Sequence, residues 1–245
     1  MHHYTALHHA VERNHSRIVE QLLLGNVDLS IVANWGTPLK FARKYERHEI
    51  EKMLSEKEKE NHQVMGVENE GIDGILAVMA QHRDSTEVQY KGCYILGNVA
   101  FNGANCRTIA EKGGIDVILA GMKQHPDSTE VQQKGCYALA RVNGRTIAEK
   151  GGIDVILAGM KQHPGSTGVQ ENGCYALGMV AAGNDANQRT IAEKGGIEAA
   201  FRAMTQHSHD EDVQERGCYL MDYMVHCESA RPAIRKGKAV MDAAR

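Results

Sequence analysis

Aromatic residues make up only 5% of the 245-residue sequence, with a single tryptophan and three phenylalanines. A core of this size in one globular domain ordinarily uses more of them, whereas the 42% of apolar residues here are mostly Ile, Leu, Val, Met and Ala, which suit stacked helices. A dominant charge is also missing. The formal net charge of −3 divides into +1 over residues 1–54, −3 over 55–70 and −1 over 71–245, so no segment carries the basic footprint of a nucleic-acid binder. No apolar run approaches the ~18 residues of a membrane span, and Met1-His2-His3-Tyr4 lacks the apolar core of a secretion signal. A phosphate-binding Walker loop, a His-Glu-x-x-His zinc motif, a Cys-x-x-Cys pair and a Gly-x-Ser-x-Gly elbow are all absent, which removes the common sequence signs of catalysis. No catalytic residue, metal ligand or cofactor is therefore expected.

Internal repetition is abundant. The stretch 114–151, GIDVILAGMKQHPDSTEVQQKGCYALARVNGRTIAEKG, recurs almost word for word at 152–195, with looser copies from Gly71 and Gly196. Aligned on their Gly-Ile starts, the copies are 43, 38 and 44 residues apart, periods that signify a stacked repeat array. Within one copy, Ile115, Ile118, Leu119 and Met122 fall at i, i+3, i+4 and i+7, one stripe of a helix that Pro126 ends. Asp127, Ser128 and Thr129 offer caps for a following helix whose apolar face is Val131, Ala138, Leu139 and Val142. A short helix over 145–150 closes on Gly151-Gly152, where glycine suits a left-handed residue.

The period, the three-helix pattern, the Gly-Gly-Ile openings and the Cys-Tyr-x-Leu runs together resemble armadillo repeats over about four units. Residues 1–54 resemble something else: Thr5-Ala6-Leu7-His8-His9-Ala10 and Thr37-Pro38-Leu39-Lys40-Phe41-Ala42, 32 residues apart, are similar to the opening of ankyrin repeats. The expected fold is an all-α superhelix, two ankyrin repeats over 1–54 joined through a charged helical junction over 55–70 to an armadillo-like array over 71–245. In that junction Val64, Met65 and Val67 suit a degenerate short helix for the first unit.

Four ladders recur within the array. Cys93, Cys136, Cys174 and Cys218 share one repeat position and read as small buried residues, because stacked helices ~8–10 Å apart exceed disulfide reach. Gln-His pairs end each second helix at 81–82, 124–125, 162–163 and 206–207, where imidazoles cap the last carbonyls. Gly92, Gly135, Gly173 and Gly217 indicate close helix contact rather than a hinge. The fourth ladder follows from the resemblance. In armadillo proteins that hold extended peptides, a Trp and an Asn four residues on point from the third helix into the groove; the matching pairs here are Tyr94/Asn98, Tyr137/Arg141, Tyr175/Met179 and Tyr219/Tyr223. Only Asn98 keeps the Asn, so a groove of Tyr, Arg and Met is expected instead of an Asn ladder; the competing reading packs the tyrosines between repeats.

The second unit is five residues shorter than its neighbours, which predicts a local break near 142–145, and Gly165 and Gly168 predict a weaker start to the third unit's last helix. The function implied is a non-catalytic scaffold or adaptor that recruits a protein partner through the concave face of the third helices. Trp35, beside Asn34 at an ankyrin finger, is a second contact or else packs on its neighbouring repeat. The competing readings are a targeting or regulatory part of a larger multidomain enzyme and a structural, self-associating repeat protein. A monomer in the cytoplasm is expected, or in the host cytosol if the source is a bacterial effector, with neither nucleic acid nor membrane insertion.

Overall fold

The computed structural model describes residues 6–24, 37–63 and 71–243. Among them the chain forms sixteen α-helices, one 3₁₀ turn and no strand, an all-α architecture, and it divides into two compact units, Met1–Asn69 and Glu70–Arg245. Trp35 and Asn34, together with Val64, Met65 and Val67 of the junction, lie outside the described residues.

The first unit is two helical hairpins, α1 (Ala6–Glu12) with α2 (Ser16–Leu24) and α3 (Pro38–Lys44) with α4 (His48–Gln63). Thr37 caps α3 by accepting from the Lys40 N–H at 3.4 Å, and Pro38 occupies the first helical turn, where its missing N–H costs nothing. Asn14 and Glu46 turn each hairpin with positive φ, 57° and 54°. The core joins both hairpins through Leu7, Val11, Val19, Phe41, Ile50 and Leu54. The buried Phe41 fills this core and meets the buried His8 ring edge-on at 5.0 Å.

The second unit repeats a short first helix, a second helix and a third. It opens with α5 (Gly71–Gln81) and α6 (Thr86–Val99), which are a second and a third helix. Then come α7 (Gly103–Glu111), α8 (Gly114–Gln124) and α9 (Thr129–Leu139), and α10 (Gly144–Glu149), α11 (Gly152–Gln162) and α12 (Thr167–Ala181). The last full set is α13 (Asp185–Glu193), α14 (Gly196–Gln206) and α15 (Glu211–Met224). A 3₁₀ turn, Glu228–Ala230, leads into α16 (Arg231–Ala243), which packs on α14.

The Gly-Gly pairs work by division of labour. Gly113, Gly151 and Gly195 take φ of +77°, +74° and +81°, a region costly for residues with a Cβ. The second glycine of each pair lets the helix start close on the preceding one: a Cβ on Gly152 would lie 2.4 Å from Ile147 Cγ2. The mid-helix glycines also mark close contact. A Cβ on Gly92, Gly135, Gly173 or Gly217 would come within 2.3, 2.5, 2.6 or 2.4 Å of the methionine that ends the apolar stripe of its own second helix, Met79, Met122, Met160 or Met204.

Two expectations are corrected. Three of the four histidines bond to the preceding unit and not to the carbonyls of their own helices. His125 Nε2 donates to the Arg83 carbonyl of the preceding unit at 2.6 Å, which fixes its tautomer, and Nδ1 accepts from Thr86 Oγ1 at 3.3 Å. His163 repeats both bonds with Pro126 and Thr129, and His207 repeats the first with Pro164. The carbonyls are capped instead by glutamine: Gln132 Nε2 donates to Met122 O at 2.8 Å and His125 O at 3.0 Å, and Gln89, Gln170 and Gln214 do the same in their units. The second correction concerns cysteine. Cys93, Cys136 and Cys174 are buried, which pushes each thiol up to about 12, but Cys218 is exposed, since among the described residues no third helix covers α15 as α9, α12 and α15 cover the helices before them. All six cysteines are free thiols.

The five-residue loss is taken from both flanking helices: α9 has 11 residues where α6 and α12 have 14 and 15, and α10 has six where α7 and α13 have nine. The core positions on either side, Val142 and Ile147, stay buried. The start of α12 is not weakened in its cap, since Ser166 Oγ accepts from Val169 N at 3.3 Å as Ser85 and Ser128 do in their units.

The glycine contacts give opposite expectations at two sites. Gly135→Val should lose roughly 1–3 kcal/mol through overpacking against Met122, whereas Gly103→Ala, where a Cβ meets nothing within 4 Å, should be neutral or gain up to about 1 kcal/mol. Thermal unfolding followed by circular dichroism checks both, and equal midpoints for the two variants would contradict the packing account.

Candidate functional site

The four third helices each begin on a capping side chain, Ser85, Ser128, Ser166 or Asp210, and present one stripe of residues spaced three or four apart. On that stripe Tyr94, Tyr137, Tyr175 and Tyr219 come one per unit.

The rings serve both packing and surface. Tyr137 is 7% exposed; its ring lies against Gly97 of the preceding third helix, where a Cβ would sit 2.5 Å away, and its hydroxyl donates to Asn98 Oδ1 at 2.8 Å. Tyr219 repeats this arrangement on Gly178, with its hydroxyl 3.1 Å from Met179 Sδ and 3.2 Å from the Tyr223 hydroxyl. Burial raises the Tyr219 phenol above its ordinary value, so it stays a neutral donor and acceptor. Tyr175, Tyr219 and Tyr223 form a continuous aromatic run, with centroids 5.5 Å and 5.2 Å apart. Tyr94 and Tyr175 remain half-buried.

A cation covers each of the first three rings. Lys134 Nζ stands 5.4 Å over the Tyr94 ring and the Arg216 guanidinium 4.4 Å over Tyr175, each reaching back from the next unit. The residue that would do this for Tyr137 is Asn172, which instead donates to the Gly168 carbonyl of its own helix. Arg141 takes over, 3.7 Å from the Tyr137 centroid, 4.7 Å from Phe101 and 5.9 Å from Tyr175. Phe101 is itself 54% exposed, so an apolar surface adjoins the guanidinium.

Glu171 lies on the same face of α12. Burial, with Asp212 adding like charge, pushes its carboxyl up to about 7, against the pull of Arg216 and Lys134. Among the described residues no group of three or more His, Cys, Asp or Glu side chains is placed to hold a metal ion, and no helix is long and apolar enough to cross a membrane.

Residues 2–34 match the ankyrin-repeat family model. No curated protein matches the chain. Among solved structures, an engineered protein determined by crystallography as a structural-genomics target is similar over 70% of each chain, with a TM-score of 0.60 and 21% identity. That likeness concerns the fold alone and agrees with an all-α repeat architecture.

The structure brings Tyr94, Asn98, Tyr137, Tyr175, Met179, Tyr219 and Tyr223 onto adjoining turns of the third helices, with Arg141 in the turn just after α9 and with Asn98 Oδ1 and Met179 Sδ already engaged by tyrosine hydroxyls. Sequence reasoning missed Lys134, Arg216, Phe101 and Glu171. A signal existed for the cations, since Lys91, Lys134 and Arg216 each stand three residues before a tyrosine, and Asn172 breaks the series.

Glu171 yields a pH test. The folded chain holds its proton to about pH 7 while an unfolded carboxyl releases it near 4.5, so the wild type should lose stability as pH rises between those values and level off above them. Glu171→Gln lacks this loss. Its unfolding midpoint should exceed that of the wild type by more at pH 8 than at pH 5; an unchanged difference would remove the carboxyl from this role.

Proposed function

We propose that the chain is a non-catalytic protein-binding scaffold or adaptor that recruits a protein partner through the third-helix face, the concave surface of an armadillo-like array over 71–245 that follows ankyrin repeats over 1–54. The observation that carries this reading is the composition of that face. Tyr recurs on four successive helices, with Arg141, Arg216 and Met179 beside the rings, and these residue types are enriched in protein interfaces, Tyr and Arg at their energetically important positions. The exposed Phe101 adds an apolar anchor beside them. A stack of identical units also explains why no chemistry-bearing constellation stands out, because catalysis requires residues that break the repeat. The ankyrin-type segment supports the same class of function, and the Asn34-Trp35 finger remains a candidate second contact. Six free thiols, four of them buried, suit a reducing cytoplasm.

The test is affinity capture from eukaryotic cytosol with the intact chain beside a Phe101→Ala/Tyr175→Ala variant of matched helicity. Tyr137 is left in place because it is buried between units and its truncation would disturb packing. A protein retained by the wild type and depleted at least tenfold on the variant is the expected outcome. Equal retention would move the site off the third-helix face, and no specific capture would remove the adaptor reading.

A further inference from the structure

Arg141 occupies the position where the resembling family places a peptide-holding Asn, yet its surroundings are unusual for a cation. It is half-buried, wedged among Tyr137, Phe101 and Tyr175, and one of its N–H groups is spent on the end of α9, Nη1 donating to the Tyr137 carbonyl at 3.0 Å. Its Nε is buried without a hydrogen-bond partner. Among the described residues no ion pair is formed by it, Glu171 acting on it only from a distance, whereas neighbouring cations of the array are paired: Lys91 with Glu87, Arg145 with Glu149, Lys150 with Asp116, Lys194 with Asp154 and Arg216 with Glu215. A largely desolvated guanidinium is expensive unless an anion satisfies it. The rings fix its plane and hold it in place, which prepares it for the planar, two-pronged recognition of a carboxylate that arginine does best.

We infer that Arg141 is the anchor for a carboxylate side chain of the partner, and that the third-helix face takes an extended acidic–apolar peptide. The carboxylate sits on the solvent-facing end of the guanidinium, and the apolar side chain next to it covers Phe101 and Tyr175. Charge complementarity decides the occupant at Arg141: Lys134, Arg141 and Arg216 follow one another along this face, and although Glu215 pairs with Arg216 and Glu171 lies beside it, the ring-held Arg141 cation would repel a basic side chain and attract a carboxylate. The inference rests on the third-helix reading above and adds the partner's chemistry to it.

The test titrates two acetylated, amidated hexapeptides, Gly-Glu-Leu-Glu-Leu-Gly and its Gln counterpart, into the full chain. Binding is read by isothermal titration, and the site by the Nε–Hε nuclear magnetic resonance signal of Arg141. The wild type should bind the acidic peptide at least tenfold more tightly than its Gln twin at low salt, with a saturable shift of the Arg141 signal that weakens as salt is added. Arg141→Gln should bind both peptides equally, and Arg141→Lys should keep part of the preference. Thermal unfolding of both variants within a few degrees of the wild type separates loss of an anchor from loss of the fold.

Equal binding of the two peptides by the wild type, a preference that survives Arg141→Gln, or no saturable binding of either would overturn the inference. So would a concentration-dependent mass that Arg141→Gln abolishes, because the occupant would then be a second copy of the chain. If both peptides bind equally and Phe101→Ala/Tyr175→Ala loses both, the third-helix reading stands while the carboxylate anchor falls.

Discussion

The array depends on one glutamine side chain per unit, buried in the first three and half-buried in the last. Gln89, Gln132, Gln170 and Gln214 each spend their amide N–H groups on two carbonyls at the end of a second helix, groups that would otherwise be left without a partner. Because the glutamine belongs to the third helix, the same bonds fix the depth at which the two helices pack. Its oxygen then faces the following unit. A Cβ on Gly121 would lie 2.7 Å from Gln89 Oε1, and one on Gly159 would lie 2.6 Å from Gln132 Oε1, so the next second helix needs a small residue there. The fourth unit uses Ala203 at that position. One polar residue thereby ends a helix, sets a hairpin and restricts what stacks next. An unmade hydrogen bond in such a place costs about 1–3 kcal/mol, comparable with a buried methyl group or two, which is why a glutamine is retained among apolar neighbours. Contacts between units add less individually: the Lys150–Asp116 and Lys194–Asp154 pairs are exposed, and pairs of that kind contribute roughly 0–1 kcal/mol.

With the second helices ended and the hairpins set, the third helices come into register, and the tyrosine face follows. Gly97 and Gly178 admit the rings of Tyr137 and Tyr219, and the cations of the next unit close over the rings of the preceding one. The packing and binding readings of these tyrosines are therefore not exclusive. Tyr137 and Tyr219 hold neighbouring units together through one ring face, while Tyr175, Phe101 and Arg141 keep part of their surface open. The shortened second unit is where this arrangement departs from the repeat, with Arg141 standing over the ring that Asn172 leaves uncovered.

Much of this was legible in the sequence because it is local. Apolar spacing from Ile115 to Met122 marks a helix, Ser128 marks a start, and Gly151-Gly152 marks a stop, each through chemistry within a few residues. The glycine ladder was legible through repetition, since a costly residue at one repeated position implies contact. What was missed acts across units. His125 reaches back 42 residues to Arg83, and Lys134 covers a tyrosine 40 residues earlier, so neither partner is visible in one helix. Gln132 escaped for another reason: hydrophobic periodicity treats a polar residue as outward-facing, and only its neighbours reveal a cap. Cys218 was misplaced because position in a repeat does not tell whether another unit follows to bury it.

Hydrogen–deuterium exchange of the full chain, free and saturated with a captured partner, addresses the central claim most directly. Slowed exchange should concentrate in the exposed halves of the third helices, over 94–101, 137–141, 175–181 and 219–224. Protection confined to the first and second helices, or to residues before 70, would show that the partner binds elsewhere and that the tyrosine–arginine face serves packing alone.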